Sequence, residues 1–188
     1  MQKRFVAATV AALALLTSGL SRADNKVMLK GGVGLFTSDL GSVTSPGPAW
    51  GFLINVQPIS LLGLELGYTG SRNALSDREN APLSTGLFRN GSFGLLKVGV
   101  PLLPVLHPFA GAGLGLSYVS VQGQSTTGIY ESGFALELPI SAGLEVDLLL
   151  VTIGVRGTFW YLLTQQFAKR PNVGANLFDI SATIGLSI

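Results

Sequence analysis

The chain has no cysteine and few charged residues. Of 188 residues, one is His and 12% are charged, whereas 47% are hydrophobic. The absence of cysteine excludes disulfides, thiol catalysis and cysteine-based zinc sites. So few charges beside so many apolar residues fit neither a disordered chain nor an ordinary soluble surface. The composition therefore predicts that something other than water covers much of the protein.

The N-terminal segment has the pattern of a cleaved signal peptide. Lys3 and Arg4 precede an apolar run from Phe5 to Leu16, and Ser21-Arg22-Ala23 offers small residues where a signal peptidase cuts. We expect residues 1–23 to be removed and residues 24–188 to form one domain. The leader holds three of the 12 basic residues, which leaves nine against 10 acidic ones. This near-neutral balance does not favour nucleic acid as a partner.

Long apolar runs are missing after residue 23. A membrane-spanning helix needs about 20 consecutive apolar residues, so a helical inner-membrane protein is not predicted. Instead, large apolar residues alternate with small or polar ones, as in Leu62–Thr69. The alternation predicts eight strands: Lys26–Phe36, Trp50–Val56, Leu62–Thr69, Leu87–Val100, Phe109–Val119, Gly133–Val146, Val151–Leu162 and Leu177–Ile188.

The connections between these predicted strands alternate in length. They are short after the second, fourth and sixth strands and long after the others, over Thr37–Ala49, Gly70–Gly86, Ser120–Ser132 and Leu163–Asn176. This pattern favours an all-β fold, an eight-stranded antiparallel up-and-down transmembrane β-barrel with short periplasmic turns and long extracellular loops. The alternative is a soluble eight-stranded barrel of the lipocalin type.

The charged residues decide between the two barrels. Each charge that we assign to a strand shares its face with Gly, Ser or Thr, while the opposite face is bulky and uncharged. Eight strands enclose too little space for that bulky face, so we expect it to meet lipid and the charges to point inward. The inward charges are Lys30, Glu65, Lys97, Glu137, Glu145, Arg156 and Asp179.

Inside a narrow lumen an unpaired ion is costly, so these side chains should pair with one another. We predict a network of Glu65, Lys97, Glu137 and Arg156, with Lys30, Glu145 and Asp179 nearby. If the turn at Asp147–Leu150 closes symmetrically, Arg156 faces Ser141 across the hairpin.

Aromatic residues cluster where the predicted strands meet the long connections. We expect them to form a girdle at the outer membrane interface, although aromatic residues also simply favour strands. The predicted girdle consists of Phe36, Trp50, Tyr68, Phe88, Tyr118, Phe134, Trp160, Tyr161 and Phe178.

The chain as a whole resembles the small eight-stranded barrels of the outer membrane protein A and X type. The features shared are the leader, the alternating connections, inward carboxylates on the third and sixth strands, and an inward Lys and Arg on the fourth and seventh. The resemblance implies that Glu65, Glu137, Lys97 and Arg156 form a lumenal salt-bridge set that blocks or gates a narrow water path. It also implies the outer membrane of a Gram-negative bacterium, with its lipid, its lipopolysaccharide and the barrel-assembly machinery as partners. Two features differ from the family: Ile188 stands where a terminal Phe is usual in the assembly signal, and no peptidoglycan-binding domain follows.

Residues for catalysis are scarce. His107 lies in a predicted tight turn, where we expect a solvated side chain, and the glycines of Gly111-Ala112-Gly113-Leu114-Gly115 alternate within a strand instead of opening a helix that could bind phosphate. We therefore expect no enzyme, no catalytic residues, no metal and no cofactor. Three functions remain open: a structural or surface-interaction barrel with its lumen closed by the salt bridges, a narrow gated channel for ions or small solutes, and an adhesin or ligand binder that uses its extracellular loops.

Overall fold

The structure, a computed structural model, describes residues 24–59, 61–75, 86–100, 102–103, 105–122, 132–165 and 175–188. Its eight strands are β1 (Asp24–Phe36), β2 (Gly47–Ile59), β3 (Leu62–Ala74), β4 (Gly86–Gly99), β5 (Leu106–Gln122), β6 (Gly133–Leu148), β7 (Val151–Gln165) and β8 (Leu177–Ser187). Each strand pairs antiparallel with its neighbour in the sequence, and β8 pairs with β1, so the sheet is a closed barrel. The predicted eight-stranded up-and-down barrel is confirmed.

A short 3-10 helix, Ser38–Ser42, follows β1. In the part of the chain that the structure describes, no helix has the length and apolar composition needed to cross a membrane.

The two ends of the barrel differ in their connections. Residues 60–61, 100–105 and 149–150 join the strands at what we name the short-turn end, and residues 37–46, 75–85, 123–132 and 166–176 join them at the long-connection end. Several strands extend past their predicted limits, because backbone pairing continues where the alternation of side chains fades. For example, Ser71, Arg72 and Asn73 of β3 still pair with β4.

The register gives the strands a marked tilt. A path that follows paired residues from Asn25 around all eight strands returns to β1 at Leu35, ten residues further along. In a barrel of eight strands such a stagger corresponds to a tilt of about 40°. Inward side chains from opposite walls therefore lie at the same level of the lumen although they are far apart in sequence.

The lumen is filled by side chains. Phe93 and Trp160 meet there edge to face, with ring centroids 5.1 Å apart, beside the buried Leu53 and Leu95. Inward glycines of β5 leave space for some of these groups, since a Cβ on Gly111 would lie 3.2 Å from the Leu95 Cγ and one on Gly115 would lie 3.1 Å from the Phe93 Cβ. The opposite faces of the strands carry exposed Leu, Ile and Val. The outer wall is therefore apolar, whereas the lumen holds both polar and apolar side chains.

Candidate functional site

The charged residues predicted to point inward all lie in the lumen, where each residue is at most 4% exposed. They are Lys30, Glu65, Lys97, Glu137, Glu145, Arg156 and Asp179. Each occupies a strand position that alternates with outward apolar residues, so the pleat directs the side chain to the axis. Which of them contact each other depends on the tilt of the strands.

Arg156 and Glu65 form a two-pronged ion pair across the lumen, from β7 to β3. Arg156 Nη1 lies 2.7 Å from Glu65 Oε1, and Nη2 lies 2.9 Å from Oε2. This geometry is the strongest that a guanidinium and a carboxylate can adopt. Across the β6–β7 hairpin, Arg156 is opposite Gly143, because Leu148 pairs with Val151. The predicted position opposite Ser141 is therefore wrong by two residues.

Glu137 pairs with Arg89, which the sequence analysis missed. Arg89 Nε donates to Glu137 Oε1 at 2.7 Å, Nη2 contacts Oε2, and the Ser117 hydroxyl donates to Oε1 at 2.6 Å. The guanidinium also lies over the Trp160 ring, 4.3 Å from its centroid. The signal was available, since Arg89 lies eight positions before Lys97, an even spacing that puts both on the same face of β4.

The remaining predicted charges form two further pairs. Lys97 Nζ contacts Glu145 Oε1, and Lys30 Nζ lies 2.8 Å from Asp179 Oδ1. Asp179 also accepts a hydrogen bond of 2.7 Å from the Trp160 indole N–H. The predicted single network of Glu65, Lys97, Glu137 and Arg156 is therefore wrong in its pairing. Within the described residues the four belong to three separate ion pairs.

A further cluster of charged and polar side chains lies at the short-turn end of the lumen. Lys26 Nζ lies 2.7 Å from Asp147 Oδ1 and 3.7 Å from Glu145 Oε2, and the Thr152 hydroxyl donates to Asp147 at 2.5 Å. His107 Nδ1 lies 3.0 Å from Asp147 Oδ2. His107 belongs to β5 and pairs with Glu145 in the ladder, so its prediction as a tight-turn residue is wrong.

With Arg89, Lys26 and Asp147 added, the inward charges of the described strands balance. Five cations stand against five anions: Lys26, Lys30, Arg89, Lys97 and Arg156, against Glu65, Glu137, Glu145, Asp147 and Asp179. Each cation has a carboxylate within salt-bridge distance, as burial of a charge requires. The lumen is thus a neutral, internally paired polar core.

Seven of the nine predicted girdle residues point outward: Trp50, Tyr68, Phe88, Tyr118, Phe134, Tyr161 and Phe178. Six of them lie near the long-connection end, whereas Tyr68 is the middle residue of β3 because that strand continues to Ala74. Phe36 and Trp160 do not, because they are 3% and 1% exposed inside the barrel. Their assignment to the girdle is wrong, since Phe36 shares its face of β1 with Lys30, and Trp160 shares its face of β7 with Arg156. The alternation of faces directs both side chains into the lumen, although both residues lie near the ends of their strands.

The arrangement of the described side chains brings few reactive groups together. Among the described residues no group of three or more His, Asp or Glu side chains could hold a metal ion. The buried Asn55 amide and Arg89 Nη1 have no hydrogen-bond partner among the described residues. Small polar pockets of this kind are where single buried water molecules bind. The geometry is suited to filling and fastening a barrel.

No protein-family model matches the chain, and no curated relative matches it. Solved structures of other proteins do match it. Neisserial surface protein A (NspA) superposes with a TM-score of 0.65 at 17% identity, covering 89% of this chain and 100% of that one. The chain has the fold of the small outer-membrane β-barrels. Ail, the attachment invasion locus protein of Yersinia pestis, solved in complex with the heparin analogue sucrose octasulfate, matches with a TM-score of 0.60 at 10% identity, over 89% and 99%. The N-terminal barrel domain of Pseudomonas aeruginosa OprF matches with a TM-score of 0.57 at 14% identity, over 89% and 100%.

Proposed function

We propose that the protein is an integral β-barrel of the outer membrane of a Gram-negative bacterium, with a mainly structural or surface-interaction role. The observation that carries the proposal is its reversed amphipathicity. Outward side chains such as Leu96, Leu114 and Ile180 are 60% exposed or more, while charged side chains are buried in the lumen. Such a surface is unfavourable in water and favourable in hydrocarbon.

The closed sheet supports the same location. A spanning structure cannot leave backbone amides unpaired in hydrocarbon, where each costs several kcal/mol. Here β8 pairs with β1 over Lys26–Phe36, so the barrel has no open edge between those strands. The barrel can therefore face lipid on all sides.

Orientation and partners follow from the two ends. Outward aromatic side chains lie near the long-connection end, where rings with a polar tip suit a membrane interface. We place that end at the cell surface, in contact with lipopolysaccharide, and the short-turn end towards the periplasm. Export would use residues 1–23, which lie outside the described residues, and insertion would use the barrel-assembly machinery.

The filling of the lumen supports a closed pore. Arg156 and Glu65 connect opposite walls, and Arg89 and Glu137 make a second two-pronged pair between β4 and β6. Trp160 packs against both the Arg89 guanidinium and the Phe93 ring. A role without catalysis and without steady conduction requires nothing beyond this packing.

Planar-bilayer recording tests closure against the second candidate, a narrow gated channel. The refolded wild-type barrel should give no steady open events, and the double variant Glu65→Ala with Arg156→Ala should conduct, because it removes both halves of a crossing pair. Steady openings of the wild type that disappear in Arg156→Ala would instead establish the channel.

A surface-interaction role can be examined at Arg72. This residue is exposed near the end of β3, with its guanidinium 5.2 Å from the Phe88 ring centroid. Ail is described in complex with a sulfated heparin analogue, and a cation on an aromatic ring is a suitable contact for a sulfate group. Retention of the folded wild type on heparin, lost in Arg72→Gln, would favour a binding role. Equal elution of both proteins would remove Arg72 from it.

A further inference from the structure

We infer that the short-turn end of the barrel is embedded in lipid, so that its connections lie within the membrane instead of projecting into water. The inference rests on the proposed outer-membrane location. Its starting point is the composition of this end, where large apolar side chains are exposed in all three connections and on the last residue of the chain. They are Leu61, Leu102, Leu103, Val105, Leu148, Leu149, Leu150 and Ile188.

Leu149 is the most informative of these residues. It is 99% exposed, and its φ of 56° lies in the left-handed region. That conformation favours Gly or Asn, and a hairpin turn in water normally uses those residues. A leucine there combines backbone strain with an apolar side chain that no described residue covers. In hydrocarbon the exposed side chain becomes favourable, which offsets the strain.

The connections continue the wall of the barrel. Gly99 N–H donates to the Leu61 carbonyl at 3.0 Å, Asp147 N–H to the Val105 carbonyl at 2.9 Å, and Ser187 N–H to the Leu150 carbonyl at 2.9 Å. Backbone carbonyls that accept such bonds can enter hydrocarbon at lower cost. The apolar side chains therefore form a rim continuous with the lipid-facing surface.

The described connections at this end carry no charged residue. In the strand ends beside them Asp24 begins β1, while Asp147 turns towards the lumen, where it accepts hydrogen bonds from Lys26 and Thr152. Lys26 is 2% exposed. A protein partner that docked in water would be expected to meet a charged margin around an apolar centre. The rim instead has the composition of the lipid-facing wall.

The height of the apolar band supports the same occupant. On β6 every outward residue from Phe134 to Leu148 is apolar. With a rise of about 3.3 Å per residue and a tilt of about 40°, those positions span about 35 Å. The lipid-facing band of such barrels is usually about 25 Å tall. Because Tyr118 and Phe134 meet edge to face at the long-connection end, the surplus falls at the short-turn end.

Spin labelling tests the inference directly, because the chain has no cysteine and each introduced one is unique. Leu149→Cys, Leu116→Cys and Ser42→Cys would each carry a nitroxide, in barrels refolded into phosphatidylcholine vesicles. Leu116 lies on the outer wall, and Ser42 is exposed in the 3-10 helix at the long-connection end. Collision rates with oxygen and with a water-soluble nickel chelate report lipid and water respectively.

We expect the label at Leu149 to resemble that at Leu116, with nickel accessibility about tenfold below that at Ser42. Nickel accessibility at Leu149 equal to that at Ser42, with Leu116 protected, would overturn this inference and leave the outer-membrane barrel intact. Protection of Leu149 in native outer membranes but not in vesicles would also overturn it, in favour of a protein partner. A nickel-accessible Leu116 would defeat the proposed function itself.

A matched pair of variants keeps the inference testable without labels. Leu149→Gly and Leu149→Asn both relieve the left-handed backbone, but only Asn adds a polar amide. For a turn in lipid, Leu149→Asn should give a smaller folded fraction in vesicles than Leu149→Gly. Equal fractions, or a larger one for Leu149→Asn, would contradict it.

Discussion

At the scale of single residues, burial makes each lumenal charge dependent on its partner. Arg156→Met should lower the free energy of unfolding by about 3–5 kcal/mol, because it leaves Glu65 charged and unpaired at 0% exposure. The double variant Arg156→Met with Glu65→Gln should recover most of that loss, since no ion is then left alone. Urea titration of barrels refolded into vesicles measures both values.

The same comparison of a single with a double variant can be made at Lys97, whose observed partner is Glu145. Lys97→Met with Glu145→Gln should rescue Lys97→Met, whereas Lys97→Met with Glu65→Gln should not, because Lys97 contacts Glu145. Rescue by the Glu65 change instead would mean that the pairing in the lumen differs from the one described.

The two tryptophans report the two faces of the sheet. Trp50 is 37% exposed on the outer wall, and Trp160 is 1% exposed in the lumen. Brominated lipids should therefore quench the fluorescence of the Trp160→Phe variant, which retains Trp50, and spare the Trp50→Phe variant, which retains Trp160. Strong quenching of Trp160 would restore it to the girdle and contradict the described face of β7.

At the scale of the strand, inward glycines decide whether neighbouring walls fit. Gly113→Val should destabilise the barrel by about 1–3 kcal/mol, because its Cβ would lie 2.7 Å from the Leu95 Cα and against the Gly94 carbonyl. Gly31→Val is the control, since a Cβ there meets nothing within 4 Å. Equal folded fractions of the two variants on unheated gels would show that β4 shifts away from the added side chain without loss of stability.

The strand is also the scale at which sequence analysis worked best. Period-two alternation depends only on local sequence, so it predicted all eight strands and the inward direction of charges such as Glu65 and Arg156. The same rule applied strictly would have placed Arg89 inside and removed Trp160 from the girdle. Pairing across the lumen is a different matter, because it depends on the ten-residue stagger of the closed sheet and on the two-residue turn after Leu148. Neither is encoded by alternation.

At the scale of the whole molecule, the barrel has charged side chains inside and bulky apolar side chains outside, the reverse of a soluble protein. Its polar core is neutral, and its ion pairs join strands at several separations. Arg156–Glu65 joins opposite walls, Arg89–Glu137 joins strands two apart, and Lys30–Asp179 joins the neighbouring β1 and β8. Its outer surface gains free energy only where lipid replaces water. Folding and insertion should therefore be one process, and a disturbance of the outer wall should act through the membrane.

An arginine on the outer wall tests this reversed arrangement, and a second arginine on the same strand serves as the control. Leu66 is 43% exposed at the middle of β3, and Ala74 ends β3 on the same face. Leu66→Arg should cost about 2–4 kcal/mol, the value for a cation at the bilayer midplane, whereas Ala74→Arg should cost about 0–1 kcal/mol near the interface. The folded yield in vesicles, measured as the fraction of unheated protein that runs as the compact form, should fall sharply for the first variant alone. Because both variants place the same charged side chain on the same face of β3, equal yields would mean that depth in a bilayer has no effect, which only a barrel surrounded by water would show.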